Sequence, residues 1–537
     1  MQKLCIFNYI HSQVAMEPQS NTSSVSHSQS LFSSLVLLLA FLILNFLLIW
    51  KLTKLAIKRK KNNKYHPVAG SIFHHLVNFR RLHDFSTDQA HKHKTFRLLS
   101  PLRSEVYTAD PAIVEYILKT NFSNYGKGEY NYCNMKDLLG DGIFAVDGVK
   151  WQHQRKVASI DFSRRILRDY STQTFRDNVK KLAVLIWEAA ITNTRIDIQD
   201  LLMKSTMDSI FQVAFGVELN CITASNREGR EFAEAFDDAS NLITWRYVDI
   251  SWKIKKLLNI GCEAVLKKKI RIVDKFIYKI ISSKIEQISK LQHDSELKRQ
   301  DMLSRFLLES EKDPVNITPR YLRDIILNFM IAGKDTTAIT LSWFIYVLCK
   351  NPHIEEKIAE EVMTATKEFG ENVSISEFAE KMTDEIINSM HYLHASLTET
   401  LRLYPGIPLD PKICFSDDTL PDGFNVREGD MVAYMPYAMA RMKFIWGKDA
   451  EVFWPERWLG DDGVFTPESP FKFPAFQAGP RECLGKEFAY RQMKIFAAVL
   501  VRFFKFKLGD EEKPVKYRTM LTLQIDHGLH IHAILRK

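Results

Sequence analysis

Apolar and polar positions divide the chain into one uninterrupted hydrophobic run and a long remainder with helical periodicity. From Leu31 to Trp50 the run is broken only by Ser33, Ser34 and Asn45, and about twenty residues is the length that crosses a ~30 Å hydrocarbon core. Beyond the run, most segments repeat apolar residues at three- and four-residue spacing, as Phe488, Ala489, Met493, Phe496, Ala497 and Leu500 do. The longest helix is marked by Thr318 as cap, Pro319 in its first turn and Asn351-Pro352 as its stop. Its length at 1.5 Å per residue is ~45–50 Å, enough to cross a whole domain. Ile325, Ile326, Phe329, Met330, Ile331, Leu341, Trp343, Phe344 and Ile345 predict that it is buried on nearly all sides. Strand-like runs occur near Thr95 to Val106, Met431 to Tyr434 and Leu521 to Ile534. The expected fold is mainly α with small β-sheets, in one continuous domain.

Composition adds little until the charge is located. With 537 residues, 46% hydrophobic and 26% charged, the chain is ordinary for a globular protein. Seven cysteines, scattered and without a CxxC pair, speak for a reducing compartment and against a disulfide framework. The net charge of +9 is concentrated in Lys51, Lys54, Lys58, Arg59, Lys60, Lys61 and Lys64, directly after the apolar run. A basic cluster there places the bulk of the protein in the cytoplasm, and the run lacks the short core and small-residue cleavage site of a signal peptide. The expected organisation is a lumenal tail at 1–30, a single transmembrane anchor at 31–50, a basic, proline-ended linker at 51–67 and a catalytic domain at 68–537. Basic residues abutting a membrane span are stop-transfer charge, so no nucleic-acid partner is expected.

Candidate chemistry is concentrated near the C-terminus, in Phe476-Gln477-Ala478-Gly479-Pro480-Arg481-Glu482-Cys483-Leu484-Gly485. A haem iron that must cleave an O–O bond needs a strong anionic axial ligand, which a cysteine thiolate supplies. Amide N–H groups of the loop would moderate that charge. Gly479 and Gly485 are expected to take positive φ and allow close approach to a macrocycle, and Arg481 to offer its guanidinium fork to a propionate. The competing reading of Cys483 is an inert buried thiol.

Inside the long helix, Ala332-Gly333-Lys334-Asp335-Thr336-Thr337 places polar groups where burial is costly. Thr336 either back-bonds to the preceding turn and only bends the helix, or it uses that bend to open a groove for water and proton transfer. Glu399 and Arg402 share a helix face, as do Trp151 and Arg155. His391 and His394 also lie three apart, but a zinc site needs at least three ligands.

Phe476, Gly479, Arg481, Cys483 and Gly485 together resemble the FxxGxRxCxG signature of the cytochrome P450 family. Ala332 to Thr337 resembles its (A/G)GxDT(T/S) sequence, Glu399 and Arg402 its ExxR pair, Pro455-Glu456-Arg457-Trp458 its PERF-type segment, and Trp151 with Arg155 its WxxxR pair. The resemblance implies a triangular prism of helices with the long central helix over haem b. It makes Cys483 the iron ligand, with Phe476, Gly479, Arg481, Gly485, Trp151 and Arg155 around the haem. Gly333 would leave room for O2, Asp335 and Thr336 would relay protons, and Lys334 would point off the haem face. Glu399, Arg402 and Arg457 would form a buried structural triad.

Electrons would come from NADPH through a flavoprotein reductase in the same endoplasmic reticulum membrane; Lys150, Lys156, Arg164, Arg165, Lys486 and Lys494 are either the basic face it docks on or an ordinary solvated surface. Leu139-Gly140-Asp141-Gly142-Ile143-Phe144, Trp151 to Lys156, Ile160-Asp161-Phe162-Ser163, Phe471-Lys472-Phe473 and Tyr490 to Lys494 resemble plant fatty-acid ω-hydroxylases. That group implies a long-chain fatty acid, drawn from membrane lipid, as substrate for cutin, suberin or sporopollenin synthesis. Phe144, Phe329, Met330, Leu409, Leu521 and Leu523 are the expected channel liners, with a constriction at Phe329 and Met330. Two departures from the family pattern are Glu482 beside the ligand and the Asp410/Lys412 pair, whose lysine could meet a propionate or a substrate carboxylate.

Overall fold

The computed structural model describes residues 64–536 apart from 101–102, 163–164, 224–225, 291–300, 313–316 and 371. The expected anchor at 31–50, the tail before it and nearly all of the linker lie outside the described residues. Among the described residues no helix is long and apolar enough to cross a membrane.

The principal helices are α1 (Leu82–Lys92), α2 (Gly128–Leu139), α3 (Gly148–Phe162), α4 (Arg165–Ile191), α5 (Ile198–Phe215), α6 (Arg227–Trp245), α7 (Trp252–Leu258), α8 (Gly261–Lys290), α9 (Met302–Lys312), α10 (Pro319–Lys350), α11 (Pro352–Ala365), α12 (His391–Leu403) and α13 (Lys486–Phe503). Apolar faces converge on α10. It starts where the cap predicts, with Thr318 Oγ1 accepting from the Tyr321 amide at 3.2 Å, and runs for 32 residues to Lys350. Leu327, Met330, Ile339, Leu341 and Leu348 are completely buried because α5, α8, α12, α13 and α2 all pack against this helix.

The strands are β1 (Val68–Ser71), β2 (Thr95–Leu99), β3 (Ser104–Thr108), β4 (Tyr125–Gly126), β5 (Ile196–Asp197), β6 (Asp410–Cys414), β7 (Asp418–Thr419), β8 (Asn425–Val426), β9 (Met431–Tyr434), β10 (Phe504–Leu508) and β11 (His530–Leu535). One sheet has the order β1-β2-β3-β9-β6-β4, a second β10-β11-β5, and β7 pairs with β8. Side chains alternate across a strand, so Asp410 and Lys412 of β6 share one face, with Asp410 opposite Tyr434 of β9. The C-terminal strand is shorter than the sequence predicts. Only His530–Leu535 joins the sheet, because Leu523 is spent on other elements: its amide bonds the Gly406 carbonyl at 3.2 Å and its carbonyl accepts from Trp343 Nε1 at 2.7 Å.

Candidate active site

The cysteine loop closes on itself just ahead of α13. The Cys483 amide donates to the Phe476 carbonyl at 2.8 Å, and Gly485 caps the helix. Gly479 takes φ +65, as expected, but for a different reason. A Cβ there would lie 2.1 Å from the Leu118 carbonyl oxygen, so the glycine lets two backbone segments pack together. Gly485, at φ −90, does not take the positive φ expected of it; that backbone role falls to Gln477, at φ +58. The Cys483 side chain is accessible, yet surrounding protein desolvates the thiol and raises its pKa. Those two facts together describe a sulfur at the floor of a recess. The Gly485 amide and Arg155 pull the pKa back down, while Glu482 raises it. Glu482 itself lies 3.7 Å from Lys486, which offsets part of its charge.

Cations gather around this recess. Arg155 of α3 is half-buried and makes no hydrogen bond or ion pair among the described residues, and it feels the Cys483 sulfur. The Arg481 guanidinium lies 4.5 Å over the Trp151 ring, bonds Asp147 Oδ1 at 2.5 Å and Val146 O at 3.0 Å, and leaves its buried Nε without an acceptor. Lys127 and Lys412 share Asp410 at 3.0 and 2.9 Å, with the Tyr434 hydroxyl donating to the same carboxylate at 2.8 Å. Burial pulls Lys412 down to about 7, and the two lysines hold Asp410 well below the usual carboxylate range. With Lys486 included, five cations face three carboxylates, Asp147, Asp410 and Glu482. An accessible sulfur, a half-buried arginine without a partner among the described residues, a buried guanidinium N–H without an acceptor and this cationic excess fit a metalloporphyrin with two propionates.

Across α10, burial is broken at one turn. From Leu322 to Leu348, only Ile331, Ala332, Gly333, Thr336 and Tyr346 are not fully buried, and Ala332, Gly333 and Thr336 share one face at i,i+3 and i,i+4 spacing, with Ile331 round the helix from them. The Thr336 hydroxyl donates to the Ala332 carbonyl at 2.6 Å, and the helix continues through this turn unbroken. The small side chains at 332 and 333 contribute to the accessibility of this turn. Gly333 has a second constraint that sequence did not suggest: a Cβ would lie 2.6 Å from Ile210 Cδ1 of α5. Gly406 passes so close to Thr336 that a Cβ there would sit 3.5 Å from its Cβ. This brings Ile407 and Leu409, both partly accessible, to the same region.

The segment 139–147 braces both sides of the site. Asp324 and Asn328 of α10 press on Gly140 and Gly142, where a Cβ would lie 2.0 and 1.8 Å from their side chains. Asn328 Oδ1 accepts from the Phe144 amide at 3.2 Å, and Arg481 reaches Val146 and Asp147 from the cysteine loop. Asp147, Trp151 and Arg155 recur every fourth residue; that spacing was the available signal for Asp147, which sequence reasoning missed.

The glutamate–arginine pair of α12 is fully buried. Arg402 Nε and Nη2 donate to the Glu399 oxygens at 2.7 and 2.8 Å, and Nη1 donates to the Ala440 and Ala450 carbonyls. Arg457 is a lesser member than expected. It lies 3.6 Å from Glu399 and spends its guanidinium on the Trp446 and Asp449 carbonyls at 3.0 and 2.9 Å. The stronger third partner is Trp458, whose Nε1 donates to Glu399 at 2.9 Å, a bond that phenylalanine at this position could not make.

Other expectations need correction. Phe329 and Met330 do not form an accessible constriction: Met330 is completely buried and Phe329 packs 6.3 Å from Phe306 of α9. Leu523 is likewise buried, while Phe144, Leu409 and Leu521 are partly accessible. Lys494 cannot belong to a docking face, because it is buried with Nζ donating to the Ile387 carbonyl at 3.1 Å. The side chains of Arg164 and Arg165 lie outside the described residues. His394 stacks on Phe465 at 4.0 Å, an ordinary packing role. Lys334 points away from the accessible turn, onto Asp237 of α6.

The sequence profile of the Cytochrome P450 family matches residues 62–531, and the chain belongs to that family of haem-thiolate monooxygenases. Its haem carries a cysteine thiolate ligand and its electrons derive from NADPH, with O2 as oxidant. The chain is 50% identical over 485 residues to "Cytochrome P450 704C1" of Pinus taeda, covering 88% of this chain and 93% of that protein. It is 44% identical over 499 residues to "Cytochrome P450 704B1" of Arabidopsis thaliana, covering 88% and 95%, and 41% identical over 450 residues to "Cytochrome P450 86B1" of the same plant, covering 82% and 80%.

Proposed function

We propose that this monooxygenase hydroxylates long-chain fatty acids at or near the ω carbon, with Cys483 as its thiolate ligand. The observation that carries the reading is the single accessible, apolar-flanked turn of α10, bearing Ile331, Ala332, Gly333 and Thr336. The haem, when bound, supplies activation of dioxygen. Arg155 and Arg481, with Trp151 beneath the latter and Lys412 nearby, would hold its propionates, and the Gly485 amide moderates the sulfur's charge. Phe476 packs 5.2 Å from Tyr490 and fixes one wall of the loop. Ala332 and Gly333 present no bulk toward O2. The Thr336 hydroxyl, anchored on the Ala332 carbonyl, keeps lone pairs available to receive a proton, and Asp335 is its neighbouring donor. Ile331, Ile407, Leu409, Phe144 and Leu521 would line an apolar approach that holds the chain end-on; positioning is needed because terminal C–H bonds are the stronger ones.

Exposed Ile250, Ile254, Leu257, Leu258 and Ile260 around α7, with exposed Phe73 and Val77, support a membrane-facing side. Phe79 stacks on Trp245 at 4.9 Å and joins the two segments. This agrees with an endoplasmic reticulum anchor at 31–50, a cytoplasmic catalytic domain and a membrane-bound NADPH-dependent reductase as partner. Microsomes containing the protein and a reductase should convert C16–C18 acids (roughly the size that a pocket of ~300–1,000 Å³ holds) to terminal or near-terminal hydroxy acids. The parent should show the red-shifted carbon monoxide Soret band of a thiolate-ligated haem, and Cys483→Ala should lose it. Turnover of sterols or terpenoids with none of these acids would overturn the substrate assignment.

A further inference from the structure

Three charged side chains run in line from the surface into α10. Asp237 of α6 is 48% exposed, Lys334 is 3% exposed, and Asp335 is 6% exposed. Lys334 Nζ bonds Asp237 Oδ1 and lies 3.3 Å from Asp335 Oδ1. That second contact is an ion pair without hydrogen-bond geometry: Asp335 Oδ1 is buried and has no hydrogen-bond partner. One ammonium thus serves two carboxylates and satisfies the outer one better. The backbone around it is pinned, since Thr206 Oγ1 of α5 donates to the Lys334 carbonyl at 3.0 Å and Ile210 packs on Gly333. The lysine's outer partner, by contrast, sits on α6, which packs on α2 and α8. At the end of α6, Arg246 ties Asp137 of α2 and Glu263 of α8 together at 2.7 and 2.6 Å.

We infer that Lys334 is a positioning residue shared between Asp335 and Asp237, through which Asp237 of α6 sets the state of the relay acid. The inference rests on the proposed proton relay through Asp335 and Thr336. Asp237 takes most of the ammonium, and burial together with Asp237's own charge favours a protonated Asp335, ready to donate. Without the Asp237 charge, Lys334 would serve Asp335 alone and hold it as a carboxylate, which cannot donate. The charged groups acting on Asp335 are Lys334 and Asp237, and both raise or lower it as this scheme requires. From the α5 side, the Asp208 carboxylate is engaged with the Cys221 and Ile222 amides at 2.8 and 3.1 Å, and Cys221 feels Lys334 only weakly. Asp238, next to Asp237, is paired with Lys269 of α8 at 2.8 Å.

Two variants should act in opposite directions. Asp237→Asn removes the competitor, lowers the pKa of Asp335 and moves the alkaline loss of coupling (product formed per NADPH) to lower pH. Lys334→Met removes the cation and moves it to higher pH, each by about one unit or more, while Lys334→Arg stays close to the parent. The infrared carbonyl band of a protonated carboxylic acid, identified by its loss in Asp335→Asn, should titrate with the same two opposite shifts. The carbon monoxide spectrum verifies that each variant is folded, and half-exposed Asp237 gives a directional answer even where Lys334→Met is not. Parallel shifts, or none, would overturn the inference. If Thr336→Ala uncouples the enzyme while these shifts are absent, the relay stands and the shared-lysine control falls.

Discussion

Two of the buried charge clusters in this protein, those at Glu399 and at Asp335, are satisfied to opposite degrees. At Glu399 every carboxylate oxygen has donors: Arg402 to both, the Trp454 amide to one at 3.0 Å and Trp458 Nε1 to the other at 2.9 Å. At Asp335 one oxygen has none, and the single nearby cation is shared with Asp237. Both sites carry the desolvation cost of buried ions, but only the first recovers it through a closed set of hydrogen bonds. A saturated network has one low-energy arrangement and so fixes structure. An undersaturated one has neighbouring arrangements of similar energy, which suits a group that must gain and lose protons.

The sharpest way to break this contrast is Arg402→Ala. It leaves the Glu399 charge buried and unpaired, so stability should fall by about 3–5 kcal/mol, enough to abolish folded, haem-loaded protein in a thermal or denaturant melt. Trp458→Phe removes one hydrogen bond to a buried carboxylate and should cost about 1.5–3 kcal/mol, read as a lower Tm with the carbon monoxide spectrum retained. Gly333→Ala forces a methyl against Ile210 and should cost about 1–3 kcal/mol; adding Ile210→Ala should recover part of it if helix packing is the reason for the glycine. Thr336→Ala should change stability least, by about 0.5 kcal/mol or less, because alanine is the better helix former and the lost bond is a local back-bond. It should nevertheless divert most reducing equivalents to peroxide. A large loss of stability in Thr336→Ala with unchanged coupling would reverse the roles assigned to the two clusters.

Much of the site could be read from the sequence because its parts are local. The bounds of α10 follow from Thr318, Pro319 and Asn351, and the order of short motifs pointed to the family before any coordinates. The errors share one cause. Phe329 and Met330 were expected to line the channel because they precede the relay turn, but helical rotation carries them into the core. Lys494 was expected at the surface because lysines usually are. Glycines 333 and 479 were assigned to oxygen and macrocycle, while their nearest constraints are Ile210 and the Leu118 carbonyl, more than a hundred residues away along the chain.

The sequence by itself determined the long central helix, the cysteine loop ahead of α13, the pairing of Glu399 with Arg402 and the family to which the chain belongs. Each rests on spacing within a few residues, where covalent geometry and helix periodicity leave few choices. Only the tertiary structure decided that Trp458 serves Glu399, that Asp147 holds Arg481, that one turn of α10 stays accessible, and that Lys334 is divided between Asp335 and Asp237. Those outcomes depend on which side chains meet across elements distant in sequence. Side-chain type and local period specify the face a residue takes, but packing specifies the partner it finds there.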